Sequence, residues 1–220
     1  MIIKDFIILS FLFLFLLIKI ISSIKKNIFL NYLSTPLIIF CIIIISLLNL
    51  YNKPSIYNFL ITLGLILSLI GDVFNLFEKV DNSHLLFSIF FFFFTHLLYS
   101  IAFLKEYTFS LFHVFISILI ILIVIILYNK FKFNIKNKSM KTGIFIYMLI
   151  VSITLLIAIG NLSTKISIKS LFITSGMFFF WLSDLFLGID AFIKKIKYGS
   201  IIIWLLYAPA QFLIALSTTY

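Results

Sequence analysis

Eight apolar runs, each close to the length needed to cross a lipid bilayer, follow one another along this 220-residue chain. A helix of about 20 apolar residues covers the roughly 30 Å hydrocarbon core of a membrane. The chain is 64% hydrophobic with a mean hydropathy of +1.28, which excludes a water-soluble domain. We predict an all-α integral membrane protein with a single domain over residues 1–220. The eight predicted transmembrane helices cover residues 5–24, 34–50, 56–77, 84–104, 109–128, 142–160, 168–190 and 198–219.

Lysine supplies all of the positive charge, and its distribution predicts the orientation. The connectors after predicted helices 1, 3, 5 and 7 hold 11 lysines, whereas the N-terminus and the other connectors hold five. Because positive residues in short loops stay in the cytoplasm, both termini should face outward. We expect the protein to lie in the plasma membrane of a bacterium. Lys19, near the inner end of the first helix, is expected to snorkel toward the membrane surface.

The longest connector, residues 129–141, carries five lysines and no acidic residue. We predict a solvated cytoplasmic loop there, and a segment lying along an anionic lipid surface is the alternative. The lysines are divided among many membrane connectors instead of gathered on one soluble face, so nucleic-acid binding is not expected despite the net charge of +10.

Two aspartates lie inside otherwise apolar helices. Burying a carboxylate in hydrocarbon costs free energy, so such residues usually have a function. Asp72 is in predicted helix 3 and Asp184 is in predicted helix 7. Both helices run from outside to inside, and each aspartate falls about five or six residues before the predicted helix end. We therefore expect two carboxylates at similar depth near the cytoplasmic boundary, facing one cavity if the two helices are neighbours.

The residues around the two aspartates repeat. A small residue, Asp, an apolar residue and Phe occur in that order at 71–74 and again at 183–186, four predicted helices apart. This offset preserves helix orientation and predicts a tandem four-helix repeat with the site between the halves.

Further polar residues share helix faces with each other. His96 and Tyr99 are three residues apart on predicted helix 4, and Tyr207 and Gln211 are four apart on predicted helix 8. Pro209 lies between the latter two and frees a backbone carbonyl. We expect these side chains to join the two acids, and we expect the phenylalanines at 90–94 to face lipid.

Several functions fit two buried acids and a histidine. They can catalyse acid/base chemistry, or relay protons in a small proton-coupled transporter. They can also simply tie helices 3, 4, 7 and 8 together. A metal-dependent hydrolase using the three histidines is disfavoured, because His84 and His113 lie near helix ends and should not converge with His96. No metal site is therefore predicted.

These residues and their order resemble the YhhN-like family of membrane proteins, which includes the lysoplasmalogenases. The resemblance covers most of the chain. It is carried by Gly71-Asp72-Val73-Phe74, His96-Leu97-Leu98-Tyr99, Phe103, Tyr147, Gly176, Ser183-Asp184 and Tyr207-Ala208-Pro209-Ala210-Gln211. Two positions depart from the family pattern. Thr35-Pro36 stands where the family typically has Lys-Pro at the start of helix 2, and Asn75 replaces a usual apolar residue.

The resemblance implies hydrolysis of the vinyl-ether bond of a lysoplasmalogen, giving a fatty aldehyde and a glycerophospho-alcohol. No cofactor or metal is implied. The expected partners are the lysophospholipid substrate and the lipid bilayer, while the oligomeric state is left open. The expected catalytic residues are Asp72 and Asp184, with His96, Tyr99, Tyr207 and Gln211 holding the water or the polar head group.

Overall fold

The computed structural model describes residues 2–77, 82–105, 111–135, 137–164 and 166–220. These residues form eight α-helices and one short 3₁₀ turn, Ser217–Thr219. Each helix is long and apolar enough to cross a membrane, which confirms the predicted all-α fold with eight spans. The helices are α1 Ile2–Lys25, α2 Ile28–Asn52, α3 Ile56–Leu76, α4 Asn82–Leu104, α5 Leu111–Asn134, α6 Lys138–Thr164, α7 Ile168–Phe192 and α8 Gly199–Leu216.

The helix ends show how local polar residues set the boundaries. α2 begins at Ile28, well before the predicted start at residue 34, because the side chain of Asn27 accepts a hydrogen bond from the first turn at 3.1 Å. α7 begins where predicted, since Ser167 and Ser170 form a capping box at its start. Hydropathy alone therefore placed the apolar centres of the helices better than their polar ends.

The prediction of a solvated loop over residues 129–141 is wrong. α5 and α6 extend into this segment from both sides and leave only a short connection. Lys130, Lys138 and Phe133 are exposed, but the other apolar side chains of the segment are buried. Lysine is also a good helix former, so the charged residues do not interrupt the helices. The small apolar cluster at this end of the bundle contains Phe131, Ile135, Met140 and Ile144.

The packing order of the helices repeats between the two halves of the chain. α1 packs on α2, α2 on α3 and α3 on α4, just as α5 packs on α6, α6 on α7 and α7 on α8. The halves meet where α4 packs against α6 and where α8 packs against α2. Exchange of the two halves maps one of these contacts onto the other. This order supports the tandem repeat, which stays a prediction.

The core lies where α2, α3, α4, α7 and α8 meet. Its fully buried side chains include Ile38, Ile61, Tyr99, Phe180 and Ile214. α1 and α5 lie at the periphery and expose large apolar side chains, as expected for contact with lipid tails.

The phenylalanine tract at 90–94 is only partly lipid-facing. Phe90 and Phe94 are exposed, in line with the prediction. Phe92 instead points into the bundle, where its ring lies 6.2 Å from that of Tyr207 and 6.3 Å from that of Phe180. A helix presents successive residues to different sides, so an unbroken apolar tract includes core positions.

α7 and α8 approach closely at Gly176. A β-carbon added there would lie 2.9 Å from Ile214 Cγ1 and 3.0 Å from the backbone oxygen of Ala210. At Gly143 on α6 the nearest atom would be Leu86 Cδ2 at 3.6 Å, an ordinary contact. Only the first glycine is required by a helix crossing.

We expect Gly176→Ala to lower the free energy of unfolding by about 1–3 kcal/mol, because α8 must shift away from α7. Gly143→Ala is the matched control and should be neutral or slightly stabilising, since alanine is the better helix former. Unfolding in a mixed detergent and denaturant titration measures both. Equal stability of the two variants would contradict the close crossing.

Candidate active site

The two aspartates line one cavity of about 540 Å³, which we call the aspartate chamber. Asp72 projects from α3 and Asp184 from α7. α3 packs mainly on α2 and α4, while α7 packs mainly on α6 and α8. The carboxylates therefore meet across a space bounded by other helices, without close packing of α3 on α7. Ser88, Phe92, Trp204 and Tyr207 also line the chamber.

The two aspartates lie at different distances from the ends of their helices. Asp72 lies four residues before Leu76, where α3 ends, whereas Asp184 lies eight residues before Phe192, where α7 ends. The expectation of equal spacing from the ends is therefore wrong. The shared chamber arises from how α3 and α7 are placed along one another in the bundle.

Each carboxylate is held by a tyrosine from another helix. The Tyr207 hydroxyl of α8 donates to Asp72 Oδ2 at 2.7 Å, and the Tyr147 hydroxyl of α6 donates to Asp184 Oδ2 at 2.7 Å. Asp72 is 5% exposed, so the tyrosine supplies a hydrogen bond that bulk water does not. These bonds fix the direction in which each carboxylate faces the chamber.

A chain of hydrogen bonds continues behind Asp72. Tyr99 donates to Gln211 Oε1 at 2.8 Å, and Gln211 Nε2 donates to the Tyr207 hydroxyl at 3.2 Å. α8 continues through Pro209, which keeps Tyr207 and Gln211 on one face. The donors all point toward Asp72. The predicted partnership of Tyr99, Tyr207 and Gln211 with an acid is thus present as a relay, of which only Tyr207 lines the chamber.

His96 lies behind the chamber and does not line it. Both ring nitrogens are buried, and among the described residues neither has a hydrogen-bond partner. Its ring centre is 4.5 Å from that of Phe180 and 5.9 Å from that of Tyr147. The histidine therefore lies outside the chamber but packs against Tyr147, which lines the chamber and donates to Asp184.

A second cavity of about 760 Å³, which we call the apolar chamber, adjoins the first. α5, α6 and α7 supply most of its lining, and almost all of those side chains are apolar. Tyr147 and Asp184 line both chambers, whereas Asp72 lines only the aspartate chamber. Asp184 therefore lies where the chamber that is richer in polar side chains meets the apolar chamber.

Lys19 is the polar group that sequence reasoning misplaced. It does not snorkel to the surface, because the residue is 3% exposed and its ammonium donates to Asn31 Oδ1 and Thr35 Oγ1, each at 2.5 Å. It also lies 4.4 Å from the centre of the Trp204 ring. Asn31 and Thr35 are four residues apart on α2, a spacing that signals a shared polar face.

The described residues contain no group of three or more histidine, cysteine, aspartate or glutamate side chains placed to hold a metal ion. His84 packs against Phe74 and Phe77, away from His96 behind the chamber. The polar side chains of the chamber are chiefly carboxyls and hydroxyls, which suit proton transfer and the holding of water.

We expect Tyr99→Phe to lower the free energy of unfolding by about 0.5–2 kcal/mol, because Gln211 Oε1 loses its donor in a fully buried position. Tyr51→Phe removes a hydroxyl from a side chain that is 85% exposed and should change stability by less than about 0.5 kcal/mol. Thermal unfolding in one detergent compares the two. Indistinguishable values would mean that the relay adds no stability.

Comparison with known proteins identifies a family. Neither a curated protein nor a solved structure matches the chain. The family model described as the YhhN family matches residues 30–218, a range that includes both aspartates and both of their tyrosine partners but not Lys19. The chain belongs to the YhhN family.

Proposed function

We propose that this protein hydrolyses the vinyl-ether bond of lysoplasmalogens, releasing a fatty aldehyde and a glycerophospho-alcohol. One observation carries the proposal: two carboxyl groups face one chamber, and one of them also lines an adjoining chamber that is almost wholly apolar. A single-chain lipid has the same division, with its reacting bond where the tail joins the polar head. Membership of the YhhN family is consistent with such a hydrolase.

The chemistry of a vinyl ether requires an acid and an anion in one place. The bond has no carbonyl for a nucleophile to attack, so cleavage begins with transfer of a proton to the alkene carbon farther from oxygen. The resulting oxocarbenium ion is stabilised by a nearby negative charge and captured by water. One protonated and one ionised carboxyl therefore suffice.

The position of the two chambers assigns these roles within the proposal. With the tail in the apolar chamber, the carbon that accepts the proton lies on the tail side of the ether oxygen, next to Asp184. Asp184 is then the general acid. Asp72, which lines only the aspartate chamber, stabilises the cation and orients the water.

The proposed cycle balances without any cofactor. Asp184 gives its proton to carbon, and water adds to the oxocarbenium ion while its proton passes to Asp72. The hemiacetal then collapses to the aldehyde and the free glycerol hydroxyl. Transfer of the proton from Asp72 back to Asp184 restores the starting state. Tyr147 and Tyr207 orient the two carboxylates throughout.

From the lysine distribution we propose that this chemistry takes place near the cytoplasmic side of the membrane, with both termini outside, in the plasma membrane of a bacterium. A lysophospholipid reaches such a site from the inner leaflet, with its tail already in hydrocarbon.

We expect purified protein to release aldehyde from a lysoplasmenylethanolamine and no fatty acid from the ester-linked analogue. Asp72→Asn and Asp184→Asn should each lower turnover at least about 100-fold, because each removes a proton-transfer or charge-stabilising group. Asp190→Asn is the matched control: this carboxylate is also on α7 but holds Lys195 and the Ile196 backbone N–H, outside both chambers. Near-normal turnover of both active-site variants would overturn the assignment. Uptake of a solute that an uncoupler abolishes, without product, would favour a proton-coupled carrier.

We expect Val151→Phe to lower kcat/KM for a long-chain lysoplasmalogen by about tenfold, because the larger ring fills the apolar chamber. A short-chain vinyl ether should be affected much less. Val114→Phe makes the same change at a side chain that is 40% exposed on α5 and should leave both rates unchanged. Equal losses for long and short substrates would show that the tail binds elsewhere.

A further inference from the structure

Lys19 is a buried cation whose charge has no direct anionic partner. It is 3% exposed, and among the described residues no carboxylate lies within 4 Å of its ammonium. Its neighbours on α2, Asn31 and Thr35, are neutral acceptors. Burying a charge beside neutral groups is costly, so an anion within reach of this ammonium would be strongly favoured.

The surroundings of Lys19 hold its ammonium beside the candidate active site. Asn31 and Thr35 accept two hydrogen bonds, and an ammonium has three donors. The face of Trp204 lies against it, and Trp204 in turn lines the aspartate chamber. The ring centres of Trp204 and Tyr207 are 5.2 Å apart, and Tyr207 binds Asp72.

Trp204 connects Lys19 to the aspartate chamber. Its ring lies against the Lys19 ammonium and also against the ring of Tyr207, which donates to Asp72. Trp204 lines the aspartate chamber and not the apolar chamber, so an anion held by Lys19 would lie on the side of the aspartate chamber. In a lysophospholipid, likewise, the reacting vinyl ether lies between the phosphate and the hydrocarbon tail.

We propose that Lys19 binds the phosphodiester of the lysophospholipid head group. This inference rests on the proposed function, which supplies a substrate with one phosphate and one vinyl ether. The phosphate neutralises the buried ammonium, while the vinyl ether lies between Asp72 and Asp184. Lys19 thus selects a phosphate-bearing head over a neutral glycerol head and positions the reacting bond.

Binding of non-cleavable lipids tests the proposal apart from catalysis. The probes are a 1-O-alkyl lysophosphoethanolamine and the 1-O-alkylglycerol with the same tail, titrated into full-length protein in a sugar-based detergent that carries no phosphate. The two tryptophans of the chain, Trp181 and Trp204, line the two chambers and report binding by fluorescence. We expect Lys19→Met to raise Kd for the phosphate lipid at least about tenfold and to change Kd for alkylglycerol less than about twofold.

Two further variants separate charge from packing. Lys25→Met removes an exposed lysine from the end of the same helix and should leave both Kd values unchanged. Because the Lys19 ammonium lies 2.5 Å from Thr35 Oγ1, the double change Lys19→Met with Thr35→Lys moves the cation to α2 and should restore binding of the phosphate lipid. Restoration keeps the test valid even where Lys19→Met alone folds poorly.

Each result decides the inference. Selective loss of the phosphate lipid in Lys19→Met, with recovery in the double variant, supports it. Equal weakening for both lipids, or a wild-type protein that does not prefer the phosphate lipid, overturns it. Selective binding without aldehyde release from a lysoplasmalogen would support the Lys19 site while the proposed hydrolysis failed.

Discussion

The burial of two carboxyl groups inside an apolar bundle is the constraint on which the rest of the site depends. A carboxylate removed from water must find hydrogen-bond donors within the protein. Here each finds a tyrosine on another helix, Tyr207 on α8 for Asp72 and Tyr147 on α6 for Asp184. Asp72 and Tyr207 join the two halves of the chain, whereas Asp184 and Tyr147 join neighbouring helices of the second half. Burial of the carboxyl groups therefore couples the polar site to the assembly of the bundle.

The polar side chains form two successive layers, one lining the chamber and one behind it. Asp72, Asp184 and their tyrosines line it, and behind them Gln211 and Tyr99 continue the hydrogen bonds toward the core. Such a second layer holds the first in one orientation, because each donor is already committed to a defined acceptor. On the other side of Asp184 the lining turns apolar, which gives the site a polar end and a lipid-like end.

The position of Lys19 is related to the departure from the family pattern at position 35. The threonine there removes a cation from α2, yet the ammonium of Lys19 on α1 reaches the side chain of that same threonine. The family match begins at residue 30, so the lysine lies in a part of the chain that the match does not include. In this chain the positive charge near the site is therefore supplied by α1.

Hydropathy determined the number of helices, and the cost of buried charge singled out Asp72 and Asp184, because both signals are local to the chain. Helix periodicity paired Tyr207 with Gln211 for the same reason. Only the tertiary structure decided that His96 lies behind the chamber, that Phe92 turns inward and that Lys19 points into the bundle. Those outcomes depend on which face of each helix packs against its neighbours. An apolar helix in lipid has several similar faces, so its sequence alone does not determine which face is buried. The two chambers likewise arise between helices distant in sequence, where no single segment carries their shape.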